Sequence, residues 1–224
     1  MIGDKQRKEM QTSIRKGWLL DKAAMVFWQK GYHASMKDIA KACNCKPANL
    51  YNYFKNKEDI LYEVIRNITE QGVSSILYLK EDEKTNPVEQ LRQLINTHFG
   101  FLASLEQSNV LISDTGMRHL SREHQKEIIR LRDLYDSILR KIISRGIDAG
   151  YFAPIDDKIV SYLIGSVIVR SSLWFSTKGR LSIEEVSDIM FNFVYNGIRD
   201  GKPNQPETTP EPVPELQPET AEPE

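Results

Sequence analysis

Cysteine is scarce in this chain, and the little there is cannot brace it. Cys43 and Cys45 are the two present. They are too close together to staple a domain and too few for a structural zinc site, so a reducing, cytoplasmic setting is expected. Both thiols read as packing residues at the end of a short helix. Proline is nearly absent from the body of the chain: seven of the ten prolines follow Gly201, in a stretch rich in Glu and Thr. That stretch has too little apolar surface to fold, and residues 201–224 read as a disordered tail. No charged-then-apolar leader precedes Trp18, so no signal peptide is expected. The most apolar run, Ile159 to Phe175, is broken by Arg170 and several serines, which makes it a buried or interfacial helix rather than a membrane span.

Catalytic patterns are missing as well. There is no glycine-rich phosphate loop, nucleophile elbow, metal-binding His pair or useful carboxylate pair. The sequence therefore points away from an enzyme, with no catalytic residue, cofactor or metal expected. His98, His119 and His124 lack metal-ligand spacing and read as polar or helix-surface residues. Charge of one sign is also lacking overall, at −1, yet its distribution is uneven. Residues 1–60 hold twelve Lys and Arg against six Asp and Glu, whereas residues 201–224 hold one Lys against six Glu. A basic head suits a polyanion.

Helical periodicity runs through the body, with no credible strand, so the fold class is all-α. Ile14, Trp18, Leu19, Ala23, Val26 and Phe27 fall at helical spacing up to Gly31. Trp18, Phe27 and Trp28 are expected in the core or a domain interface. Residues 1–12 read as a flexible arm in which Lys5, Arg7 and Lys8 are basic. Ser35 with Asp38 forms a capping box that opens a short helix ending near Cys43. Asn44 tolerates the left-handed conformation that ends a helix. Pro47 then opens a second short helix, expected to reach about Tyr53, with Leu50 and Phe54 on its buried face. Two short helices around a tight turn make a helix-turn-helix, whose second helix is sized for a DNA major groove. Asn56 with Asp59 caps a further helix running toward Leu79. At about 25 residues it would span roughly 38 Å, enough to reach from the head into a second domain.

Several blocks then carry a family resemblance. WLLDKAAMVFWQKGY, DIAKACN, LYNYF and KNKEDIL occur in that order within residues 14–65, and this stretch resembles the DNA-binding domain of the TetR family of transcriptional regulators. Its link between Tyr32 and Asp38 is one residue shorter than usual for that family, and Asn44 stands where glycine is commoner. The resemblance implies a helix-turn-helix domain over 13–56 and a helical ligand-binding and dimerisation domain over 57–200. Lys46, Pro47, Ala48 and Asn49, at the exposed start of the recognition helix, are expected to approach base edges. Asn49 suits an adenine and Ala48 a thymine methyl. Tyr51 and Lys57 match family positions that contact phosphates; Ser35, Lys37, Asn52 and Tyr53 complete the expected DNA-binding set.

One head reads only a few base pairs, so a homodimer on a pseudo-palindromic double-stranded operator is expected. The last two helices, bearing Ile159, Leu163, Val167 and Trp174 and then Ile183, Val186, Ile189, Met190, Phe193 and Val194, are its expected interface. RLRDLYDSILRKIISRGIDAGYF and RSSLWFSTKGRLSIEEV resemble the subset of the family whose effectors are acyl-CoA or related CoA thioesters. Arg170 and Trp174, four apart on one expected helix face, would then meet a phosphate and a purine. Phe99, Phe101, Leu102, Met117 and Tyr135 would line an acyl or ring pocket. The sequence thus reads as a ligand-released repressor. The alternatives are a repressor of drug efflux answering lipophilic cations, through aromatics near Glu106, and a helical interaction module or enzyme.

Overall fold

The computed structural model describes residues 4–105, 115–171 and 173–200. The segment from Val110 toward Met117 lies in part outside these residues, as do the aromatic surroundings of Glu106 and the tail 201–224. Among the described residues the chain is helical, with one isolated antiparallel bridge between Phe152 and Arg199.

Helix α1 spans Asp4–Lys30 and stops where Gly31 takes φ +61. It begins well before Ser13, the expected start, because its first turns carry strong helix formers such as Lys, Gln and Arg. Trp18 and Trp28 are exposed rather than in the core, whereas Phe27 is buried. Trp18 carries the Arg15 guanidinium 4.4 Å above its ring.

Helix α2, Met36–Ala42, opens with the expected capping box: Ser35 accepts from the Asp38 N–H, and the Asp38 carboxylate accepts from the Ser35 N–H. Its end is a Schellman closure. Asn44 sits at φ 44, the Cys45 N–H donates to the Ala40 carbonyl at 3.0 Å, and the Asn44 N–H donates to the Lys41 carbonyl at 3.1 Å. Helix α3, Pro47–Leu50, is shorter than expected and passes into a turn over 51–53. Leu50 and Phe54 are buried against α1 and α2.

Helix α4, Lys57–Ile76, has 20 residues and so spans about 30 Å. A 3₁₀ turn, Leu77–Lys80, continues it. Ile60 to Ile68 belong to the head's core and Ile76 to the core of the second domain, so one helix enters both. Among the described residues, helices α5 (Pro87–Ser104), α6 (Arg122–Asp148), α7 (Asp157–Ser171) and α8 (Ile183–Ile198) build the second domain. Gly150, at φ +73, closes α6. Gly146 lies against Phe152, whose ring occupies the space that a side chain there would need.

Helix α7 ends at Ser171, earlier than expected. The Phe175 N–H donates back to the Ser171 carbonyl, and the chain turns so that Phe175 meets Phe99 edge-on at 4.9 Å between centroids. Trp174 is therefore in the turn, exposed, and does not share a helix face with Arg170. No described helix is long and apolar enough to cross a membrane.

Candidate DNA-binding face and ligand cavity

With Leu50 and Phe54 turned inward, the opposite side of the second short helix is left to solvent. Lys46, Ala48, Asn49, Tyr51 and Asn52 are exposed there, and Pro47 and Tyr53 are half-buried beside them. Pro47 supplies no N–H and its fixed φ suits a first turn, which places Ala48 and Asn49 at the open end of the helix. Ser35 and Lys37 are exposed at the start of α2. The Ser35 hydroxyl is engaged: it donates to the Asp38 carboxylate at 2.6 Å. Hydrogen bonds from Lys30 and Ser35 hold the Asp38 carboxyl well below the usual carboxylate range.

Lys57 is placed differently from an open phosphate ligand. Its ammonium donates to the Tyr32 carbonyl and lies 4.0 Å from the Tyr32 ring centroid, so it fastens the end of α1 to the start of α4. Arg15, which the sequence reading did not single out, shares a small hollow with Asn49, Asn52 and Tyr53. Its signal was present: it precedes Trp18 on the polar side of α1.

The head is joined to the second domain at the start of α6. Leu120 and Ile128 pack into the head's core. Glu58, in the first turn of α4, accepts the Ser121 N–H at 2.8 Å and the His124 Nδ1–H at 2.7 Å. Burial alone would raise the Glu58 carboxyl, but these donors hold it below its ordinary value. The His124 ring stacks on Tyr62 at 3.8 Å, and His119 stacks on Tyr32 at 4.3 Å.

Beyond this joint lies a cavity of about 520 Å³ between α4, α5, α6 and α7. Helix α4 contributes Ile68, Thr69, Gly72 and Val73; α5 contributes His98, Phe101 and Leu102. Helix α6 adds Arg132, Tyr135 and Asp136, and α7 adds Tyr162, Gly165, Ser166, Val169 and Arg170. The exposed members, Tyr162, Ser166 and Arg170, mark its open side. Gly72 is part of its wall, and a Cβ on it would lie in ordinary contact with the Phe101 ring at 3.5 Å.

Four of the expected pocket residues, Phe101, Leu102, Tyr135 and Arg170, come together at this cavity. The others do not. Phe99 is buried in the core against Phe175, Met117 packs against the head's core, and Trp174 is in solvent. His98 corrects the surface reading: it is buried and its Nδ1 lies 2.6 Å from the Tyr135 hydroxyl. Among the described residues, no group of three or more His, Cys, Asp or Glu converges as metal ligands.

The outward faces of the last two helices carry exposed apolar residues among polar ones. Ile159 and Leu163 on α7 and Ile189 and Phe193 on α8 are exposed, Phe193 at 71%. Val186, Met190 and Val194, expected at an interface, are instead buried within the same chain.

Comparison with known proteins agrees with this architecture. Residues 19–64 match the family model described as bacterial regulatory proteins, tetR family, and residues 84–198 match that of the tetracyclin repressor-like C-terminal domain. The fatty acid metabolism regulator protein of Bacillus subtilis is 26% identical over 187 residues, covering 81% of this chain and 94% of its own. The HTH-type transcriptional repressor KstR2 of Mycobacterium tuberculosis is 26% identical over 190 residues, 84% of this chain and 94% of its own. Its solved structure superposes with a TM-score of 0.74 at 25% identity, over 84% of this chain and 96% of that one. The regulator PfmR of Thermus thermophilus gives a TM-score of 0.72 at 28% identity, over 80% of this chain and 97% of that one.

Proposed function

The chain belongs to the TetR family of bacterial transcriptional regulators, DNA-binding proteins rather than enzymes, and from that premise we propose that it is a dimeric repressor released from its operator by a small anionic effector such as a CoA thioester. The observation that carries this reading is the single helix α4. Its first turn supports the head that bears Lys46, Ala48 and Asn49, and Ile68 to Val73 farther along it form a wall of the cavity.

An effector that prefers one arrangement of α4 shifts the population toward it, and emptying an operator takes a preference of about 5 kcal/mol between the two states. Apolar walls with Arg132 and Arg170 outnumbering Asp136 favour a ligand with an apolar body and an anionic end over a lipophilic cation. The relatives named for fatty acid metabolism regulation and for ketosteroid regulation are consistent with such a ligand. The exposed apolar faces of α7 and α8 are the proposed dimer interface, and a regulator of this kind works in the cytoplasm.

In the proposed complex Asn49 and Ala48 read base edges, while Lys46, Tyr51 and Asn52 lie beside them and Ser35 and Lys37 approach the backbone. The test is binding of the purified protein to DNA from upstream of its own gene, at fixed salt, with and without CoA thioesters and lipophilic cations. Release by one CoA thioester is the expected result. Absence of specific DNA binding sinks the repressor, and release by cations alone replaces the effector with the efflux class.

A further inference from the structure

The cavity contains a polar pair that an acyl chain alone would not use. His98 and Tyr135 stand among Ile68, Val73, Phe101 and Leu102, and among the described residues their 2.6 Å contact is a hydrogen bond between the two side chains. Burial lowers the His98 imidazole to about 4 and raises the Tyr135 phenol far above its ordinary value, so both rings are neutral near pH 7. A neutral imidazole carries one N–H and a phenol one O–H, and their mutual bond consumes only one of these two protons. When Nδ1–H donates to Tyr135, the phenol O–H is left over. When the phenol donates to Nδ1, the Nε2–H is left over. Either arrangement leaves one donor to be satisfied.

The surroundings leave room for a ligand to satisfy it. The nearest wall is Gly72, and a Cβ built there would stand 3.9 Å from His98 Nε2, so no side chain of α4 intrudes at that point. That donor belongs to residues lining the cavity, where an acceptor oxygen on a bound molecule would complete the pair.

We propose that His98 and Tyr135 read a neutral oxygen, a carbonyl or hydroxyl, on the buried portion of the effector, so that the effector is an oxygenated acyl or ring compound rather than a plain hydrocarbon chain. This rests on the cavity being the effector site and adds which chemistry it selects. Because imidazole and phenol can exchange roles as donor and acceptor, the pair serves a ketone and an alcohol alike. It rejects the hydrocarbon of equal size, which would fill the space and strand the donor.

The test uses neutral probes, so that it does not depend on CoA. Calorimetry compares 1-indanone with indane on the full chain, and the ¹⁵N imidazole resonances of His98 are followed as each is added. The ketone is expected to bind about tenfold or more tightly than the hydrocarbon, the ratio set by one buried hydrogen bond, and to shift the His98 resonances where indane does not. Tyr135→Phe, which keeps the ring, and His98→Phe are each expected to abolish that preference. Equal affinity in the parent chain, a preference that survives both substitutions, or binding of neither probe overturns the proposal. If no CoA thioester releases the operator, the effector class proposed above fails and the indanone comparison is unaffected.

Discussion

Glu58 and His124 meet at 2.7 Å across the boundary between the head and the second domain, the carboxylate in the first turn of α4 and the imidazole in the first turn of α6. The contact is held by Ser121, which gives its N–H to the same carboxylate oxygen. It makes the orientation of the head depend on where α6 begins.

Stability in acid should register this contact. Because the folded Glu58 carboxyl is held below its ordinary value, its contribution is complete above the ordinary glutamate range and is lost as pH falls through the depressed folded value. Glu58→Gln should cost about 1 kcal/mol at neutral pH and should show a smaller loss of stability in acid than the parent. Denaturant midpoints at pH 7 and below pH 4 check this; equal midpoints at neutral pH reject it.

A second pH dependence has the same direction and another origin. His98 titrates near 4 when folded but near 6.5 when unfolded. The unfolded chain therefore takes up a proton that the folded chain refuses. Stability is complete above about pH 6.5 and falls by up to about 1.4 kcal/mol per pH unit between there and about pH 4. His98→Phe should flatten this window. Urea titrations at half-unit steps measure it, and an unchanged slope would show that the ring is accessible to protons.

Asn44 occupies the left-handed position that closes α2. Asn44→Ala is expected to destabilise the head by about 1 kcal/mol, because alanine has no side-chain amide to ease that conformation. Asn44→Gly should be neutral or stabilising. Thermal unfolding of the three proteins orders them, and an alanine variant as stable as the parent contradicts the assignment.

Gly146 and Phe152 make a steric prediction. A Cβ at residue 146 would lie 2.0 Å from Phe152 Cδ2, and Phe152 is fully buried. Gly146→Ala should cost about 3 kcal/mol or more, with partial recovery in the double variant Gly146→Ala, Phe152→Leu. Additive losses in that cycle would argue against the clash.

The outward face of α7 and α8 predicts the assembly. Phe193→Asp introduces a charge where 71% of an aromatic residue is exposed in the single chain. It should yield a monomer by light scattering, without loss of helicity, and weaken operator binding at least tenfold. A parent protein with the mass of one chain removes the premise.

The head was legible in the sequence because its determinants are local. Ser35 with Asp38, Asn44, Pro47 and Asn56 each act within a few residues, and the backbone follows them. The cavity was less so. Phe99 and Phe101 look alike in a list of apolar residues, and which of their two helix faces meets the core and which the cavity is set by the packing of the other helices. Trp174, expected on a helix, lies beyond that helix's end for the same reason. His98 lies in register with Leu91, Leu94, Ile95 and Leu102, all buried. That register was the available signal, set against the general tendency of histidine to keep some contact with water. The exposure of Trp18 and Trp28 had no local cue.

Helix α4 has the geometry of a lever. It is about 30 Å long, with Gly72 and Val73 against the cavity near one end and the head fixed to the other. Tilting it by about 5° at the cavity end displaces the head by roughly 2.6 Å over that length. In a two-fold dimer the displacements of the two heads oppose each other, so their separation changes by roughly 5 Å. Successive major grooves on one face of DNA recur every 34–36 Å or so, and a mismatch of about 5 Å exceeds the reach of the short side chains at Ala48 and Asn49. In the proposed dimer the smallness of the second short helix, four residues and a turn, would leave little slack in the span between two half-sites.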